Sequence, residues 1–324
     1  MKVCIYGAGA VGSNFAVRLA GAGEDVSVVA RGPHLAAIQR DGIQLRAGDD
    51  VMTATVEATD EPGRLGTQDL VIVTLKGPSL PSVVDGIKSL LGPNTTVVFG
   101  MNGILWWYFY GLDPSGRERR LSRLDPGDRL WDEIDPSRVV GGVVYSANEV
   151  VAPGVVQNSS PDRNQLRLGE PTGQPSARVD TLNAALNPAG LAVEVSDIRR
   201  DIWIKLLGNI AYAPIACLTG STIGQICADE ALRDFATGIM EEAIAIADAV
   251  GTSLGIDAET RIANTKASNH KPSMLQDLEL GRAMEIDAIV SVPYQMGQEA
   301  GLSTPNLRRA LGLLRQRARL AGLY

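Results

Sequence analysis

Up to about residue 196, short apolar runs alternate with stretches of helical spacing; beyond it, helical spacing takes over. The first apolar run, Lys2–Tyr6, leads into Ala10–Ala22, where Val11, Phe15, Leu19 and Ala22 recur on one helical face. Asp25–Ala30 is a second strand, and a polar, turn-rich stretch follows with β-like segments at Ile43–Leu45 and Met52–Ala58. Leu70–Leu75 is continuously apolar, as expected of a parallel strand covered on both faces. A helix is expected over Ser79–Leu91 and a strand over Thr96–Phe99. After residue 138 come strands at Val139–Ser146, Gly154–Asn158 and Gln165–Leu168, a helix at Ala177–Leu186 and a strand at Leu191–Val195. This repetition predicts an α/β fold with a doubly wound, Rossmann-type sheet. From Asp197 on, Ile198–Cys217, Ala228–Val250, Met274–Gly297 and Thr304–Leu320 carry helical periodicity. Two domains are therefore expected, residues 1–196 and an all-helical 197–324.

Composition narrows the function classes. With 30 Lys+Arg against 37 Asp+Glu the net charge is −7, so no basic surplus marks a nucleic-acid partner. Cys4, Cys217 and Cys227 form no CxxC pair, and the glycines that follow Tyr6 leave no room for a signal-peptide layout. Leu206–Ala228 contains no charge, but Gly208, Asn209, Pro214 and Gly220 make it too polar and broken for a lipid-exposed helix. It reads as a buried helix interrupted near Pro214. A soluble, cytoplasmic protein without membrane partner is expected; the apolar helical half suits a core or a homodimer interface equally.

Gly7-Ala8-Gly9-Ala10-Val11-Gly12 is a GxGxxG turn between strand and helix. Gly7 permits the turn, Gly9 lets the backbone approach a pyrophosphate, and Gly12 allows close helix–strand packing. At the end of the second strand, where NAD sites place a carboxylate for the ribose hydroxyl, stands Arg31. A guanidinium there suits a 2′-phosphate, and Lys76 after Leu70–Leu75 offers a second positive charge, so NADP (NADPH) is the expected cofactor.

In the helical half, Lys205 and Asn209 are four residues apart and share a helix face. Lys205 is the only charge between Asp201 and Asp229; such a lysine either donates a proton with lowered pKa or snorkels to solvent. Ser273 is placed to cap the helix that follows it, and spacing alone gives Ser273 and Glu285 no common site. His34 and His270 lack ligand-spaced partners, so no metal site is expected. His34 is expected at the start of the second helix, near the adenosine end.

These elements in this order resemble the ketopantoate reductase (2-dehydropantoate 2-reductase) family over almost the whole chain. The likeness is carried by GAGAVG with Arg31, Lys76, Asn102-Gly103, Trp203/Lys205/Asn209, Pro272–Asp277, Gly281-Arg282 and Glu285-Ile286-Asp287. It implies a Rossmann domain joined to a helical one, and NADPH-dependent reduction of 2-dehydropantoate to pantoate in pantothenate biosynthesis. By the same likeness Lys205 would be the general acid, Asn209 would bond the substrate oxygens and Ser273 would hold its carboxylate. Glu285 would orient lysine or substrate and join cofactor binding; Asn102 would contact both nicotinamide ribose and substrate.

The chain departs from the family pattern at Ala213, where an Asn is common, and in the stretch after Asn102. There Trp106-Trp107-Tyr108-Phe109-Tyr110 and an Arg/Asp-rich segment extend the connection to residue 138, read here first as a substrate lid, then as an oligomer contact or simple packing. The alternatives to ketopantoate are another small 2-oxo acid, an amine-dependent (opine- or imine-type) reduction, or an NADP(H) sensor without turnover. The joint presence of Lys205, Asn209, Ser273 and Glu285 argues against the sensor.

Overall fold

The computed structural model describes residues 1–113, 118–265 and 269–324, with the side chains of 192–195 excepted. Two compact units form: one from Met1–Met101 and Trp106–Ile198, the other from Asn102–Leu105 and Arg199–Tyr324.

In the first unit, β1 (Lys2–Tyr6), α1 (Ala10–Gly21) and β2 (Asp25–Val29) make the opening βαβ turn, followed by α2 (Gly32–Asp41). Then come β3 (Ile43–Ala47), β4 (Asp50–Ala54), β5 (Glu57–Thr59), β6 (Gln68–Val73), α3 (Val84–Lys88) and β7 (Leu91–Gly100). β8 (Val139–Tyr145), β9 (Asn148–Ala152), β10 (Val155–Asn158), β11 (Gln165–Gly169), α4 (Ala177–Leu186) and β12 (Ala192–Val195) complete it. Eight strands run in the order β12-β11-β8-β7-β6-β1-β2-β5, and β5 through β8 are mutually parallel. β1 has β2 on one side and β6 on the other, so strand order reverses there, and the carboxyl ends of these three strands frame the crevice where such sheets take ligands. A smaller sheet, β4-β3-β10-β9, lies apart from the first. Phe15, Ala16 and Leu19 of α1 share one core with Val3 and Ile5 of β1 and with Ile43, Leu45 and Val156 of the small sheet. That double cover explains why α1 is buried nearly all round.

Two expectations for this unit fail. The helix expected over Ser79–Leu91 is a 3-10 turn, Gly77–Ser82, followed by the single turn of α3; Pro78 and Pro81 disfavour the α conformation at the residues before them, Gly77 and Leu80. The aromatic run is no lid. Trp106, Trp107 and Tyr108 are fully buried, Phe99 meets Trp106 edge-on at 5.7 Å, and Trp106 meets Trp131 at 6.1 Å. Trp107 packs on β8 where Gly141 leaves the strand without a side chain. The charged segment ties the run down: buried Asp125 accepts from the amides of Leu130 and Trp131, both at 2.9 Å, and Arg129 bonds Glu133 at 2.7 Å. Part of the segment, residues 114–117, lies outside the described residues.

The second unit is helical: α5 (Ile198–Thr219), α6 (Ile223–Ala228), α7 (Glu230–Ala249), α8 (Ala258–Ala263), α9 (Ser273–Glu279), α10 (Val292–Glu299) and α11 (Pro305–Leu320). Asp229 and Asp257 cap α7 and α8, and Glu242 of α7 accepts from the amides of Asn306 and Leu307 at the start of α11. α5 is not interrupted at Pro214 as its sequence suggests; it runs on to Thr219 and stops before Gly220. It is the one helix among the described residues long and apolar enough to cross a membrane, and 72% of its apolar window is buried in the fold, as in a core helix. The expected helix Met274–Gly297 is broken: α9 ends at Glu279, Arg282 donates back to Asp277 at 2.8 Å, and a wide π-type turn at Asp287–Ser291 leads into α10.

Candidate active site

The glycine loop is shaped by contacts within one βα turn and the next strand. Gly7 has φ +108°, and a Cβ there would sit 2.6 Å from Leu75 Cδ2. A Cβ on Gly12 would collide with the Gly7 carbonyl and lie 2.6 Å from Thr74 Oγ1, whose hydroxyl donates to that same carbonyl at 2.7 Å. A Cβ on Gly9 would meet nothing within 4 Å. The amides of Gly7 and Ala8 donate to Val29 O of β2, at 3.1 and 3.0 Å, and so pin the loop. α1 then begins at Ala10-Val11-Gly12 with no side-chain cap and no acid in its first turn. Its positive dipole end is left for an anion.

Arg31 is the exposed N-cap residue of α2, directly beyond β2, and forms no ion pair among the described residues. Lys76, half-buried, follows the end of β6. Both thus stand at carboxyl ends of strands flanking β1. His34 lies in the first turn of α2, as expected, with its ring committed: Gly154 N donates to Nδ1 at 3.0 Å. That leaves the proton on Nε2, 3.4 Å from Ser13 Oγ, whose hydroxyl donates to Ala8 O at 2.9 Å. Burial lowers the His34 pKa, consistent with a neutral ring bracing the loop.

In the helical unit, Lys205 lies on α5 and its pKa is pushed down to about 8 by burial, with the Glu285 carboxylate resisting that shift. Glu285 is buried, and Asn102 Nδ2 donates to its Oε2 at 3.3 Å. The chain around Asn102 is hooked onto the same segment: Ile104 N donates to Ala288 O at 2.8 Å, and a Cβ on Gly103 would strike the Ala288 carbonyl. Lys205, Glu285 and Asn102, far apart in sequence, thus form one polar cluster. Asn209 is half-buried one turn along α5 from Lys205. Ser273 is not a cap: Pro272 holds that position, and Ser273 is the exposed first residue of α9, its hydroxyl making no hydrogen bond among the described residues. His270 is exposed, and the described residues hold no cluster of three or more metal-ligating side chains. Ala213 is buried on α5.

Sequence reading missed the Asn102–Glu285 bond, the His34 brace and Arg261 of α8, whose guanidinium lies over Gly208 of α5. A glycine in the middle of a buried, otherwise helix-forming run was the available signal for the last.

The family profile described as ketopantoate reductase PanE/ApbA matches residues 3–172, and its C-terminal counterpart matches 197–318. The chain belongs to the ketopantoate reductase family. That makes it an oxidoreductase of the kind acting on a CH–OH/keto couple. A 2-dehydropantoate 2-reductase from Mesorhizobium japonicum is 44% identical over 327 aligned residues, covering 100% of both chains. A candidate ketopantoate reductase from Ralstonia solanacearum MolK2 superposes with TM-score 0.93 at 40% identity, covering 100% of this chain and 99% of the other. A 2-dehydropantoate 2-reductase from Geobacter metallireducens GS-15 gives TM-score 0.85 at 27% identity, covering 98% and 99%.

Proposed function

We propose that this family member is a soluble, cytoplasmic enzyme that reduces 2-dehydropantoate to pantoate with NADPH, working as a homodimer. Full-length similarity to a 2-dehydropantoate 2-reductase supports the substrate, and the observation that carries the chemistry is the cluster of half-open Lys205 and Asn102 around the buried Glu285, with Asn209 one turn along α5.

The residues present fit a dinucleotide. The uncapped start of α1, the open space over Gly9 and the unpaired Arg31 form a cradle for a pyrophosphate and a 2′-phosphate. Gly7, Ala8, Gly9, Ala10, Val11 and Gly12 would hold the first, Arg31 and Lys76 the second, with Asn102 and Glu285 at the nicotinamide end. When bound, NADPH supplies the hydride.

Reduction of a keto group leaves negative charge on its oxygen and demands one proton there. Lys205 serves as that general acid and as the positive charge that stabilises the developing alkoxide. Burial makes its proton easier to give up, while Glu285 keeps enough of the ammonium form present at neutral pH. Asn102 holds the Glu285 carboxylate in place, Asn209 would bond the substrate oxygens, and the hydroxyl of Ser273 would hold the substrate carboxylate.

An assay at 340 nm with NADPH, then NADH, against ketopantoate and a panel of small 2-oxo acids tests the reading. Rapid turnover of ketopantoate with NADPH and little with NADH is expected. Faster turnover of another 2-oxo acid would reassign the substrate, and turnover that requires an added amine would reassign the reaction.

A further inference from the structure

Between Asp201 and Cys217, α5 is buried except at Ile204, Lys205 and Asn209, which are half-open. At about 100° per residue these three span one sector of the helix, and Gly208 falls inside it, between Ile204 and Lys205. Gly208 is nevertheless buried. Its cover is the guanidinium of Arg261: Nη2 lies 3.1 Å, and Cζ 3.9 Å, from where a Cβ on residue 208 would stand. Glycine is disfavoured at an interior helical position relative to alanine. Here it lets the guanidinium lie against the helix backbone, one residue from Asn209 and three from Lys205.

Arg261 is held there by its own helix. Asp257 caps α8 through Thr260 N at 2.7 Å, and its other oxygen accepts from Thr260 Oγ1 at 2.9 Å. Thr265 Oγ1 donates to Arg261 O at 2.9 Å and meets Tyr212 OH of α5 at 2.8 Å, which locks the end of α8 to the catalytic helix. The guanidinium itself has no ion pair among the described residues, and its Nε is buried without a partner. A half-buried guanidinium without an ion pair, lying over Gly208 on the sector of α5 that also carries Lys205 and Asn209, is a costly arrangement unless an anion completes it.

We propose that Arg261 is the anion-recognition residue of this site, receiving the carboxylate of the 2-oxo acid as a charge-assisted pair. The inference rests on the proposed 2-oxo acid reductase function and deepens it: the substrate class is set by a charge contact from α8, to which the neutral hydroxyl of Ser273 adds orientation.

The test compares ketopantoate with its uncharged lactone as ligands of the full-length protein by calorimetry, with initial rates measured alongside. Arg261→Ala should weaken ketopantoate binding about 10–100-fold and lactone binding less than about threefold, at unchanged NADPH affinity. Arg261→Lys should fall between, because it keeps the charge and loses the fork. Gly208→Ala, which leaves Arg261 present but displaces it, should reproduce part of the loss. Equal effects on acid and lactone, or none on either, would overturn the assignment; if Arg261→Ala does not fold, the acid-to-lactone ratio of Arg261→Lys decides. A wild-type protein that binds 2-oxo acids through Arg261 but turns none over would overturn the reductase reading and leave this one standing. A wild-type protein that binds no 2-oxo acid would overturn both.

Discussion

The glycine loop gets its shape from residues that are neighbours in the chain or on the adjoining strands: Gly7 and Gly12 close on Thr74 and Leu75, and Val29 pins the amides. The lysine site draws Lys205 from α5, Asn102 from the end of β7 and Glu285 from the turn before α10. The first site needs only backbone geometry and a helix dipole, because a pyrophosphate is recognised by amides. The second needs a desolvated ammonium kept charged by a particular carboxylate, and only tertiary packing supplies that. On the proposed reading, phosphate binding is thus a property of a local motif, and proton delivery a property of the whole helical unit.

That contrast can be broken at either site. Lys205→Ala should lower kcat by about 10²–10⁴-fold while NADPH affinity, followed by fluorescence titration, stays within about twofold; a parallel loss of cofactor binding would mean the two sites are not separable. Trp106→Ala, which empties a fully buried position next to Phe99 and Trp131, should destabilise the fold by about 3–5 kcal/mol in urea denaturation, where loss of a lid would leave stability unchanged. Arg31→Ala should raise the KM for NADPH about 10–100-fold and leave that for NADH nearly as it was. The smallest and sharpest effect concerns pH. On the proposed mechanism Lys205 acts in its protonated form, so kcat should be flat below pH 8 and fall tenfold per unit above it. Glu285→Gln removes the group that raises the lysine pKa, so the alkaline limb should move to lower pH; a limb that stays in place would show that another residue titrates.

The same division decides what could be read from the chain. The opening βαβ turn, the GxGxxG turn and the place of Arg31 directly beyond β2 were legible because each is set within a few residues of its neighbours, and α4 and α11 follow apolar periodicity closely. The 3-10 turn at Gly77–Ser82 was lost because apolar spacing masked two prolines. The Trp106–Tyr110 run reads as a substrate lid because composition cannot say that Gly141 leaves room for Trp107 on the sheet. Ser273 sits at a plausible capping position, but Pro272 takes that role, which sequence alone does not distinguish. Glu285 could be tied to Lys205 only by resemblance, since no periodicity links a position on α5 to one in the connection after α9.

The hook Asn102–Leu105 also bears on how this protein comes to exist. It belongs to the helical unit although it is synthesised within the first, and Asn102 leaves the ribosome 183 residues ahead of the Glu285 it will hold. Domains emerging early in translation fold as units before the rest arrives. A nascent chain stalled just short of residue 285 would carry a finished nucleotide loop and a hook with nothing to grip. The gene therefore cannot be split by one cut between the units: a fragment starting at residue 199 lacks Asn102, and one ending at 198 carries it without a partner.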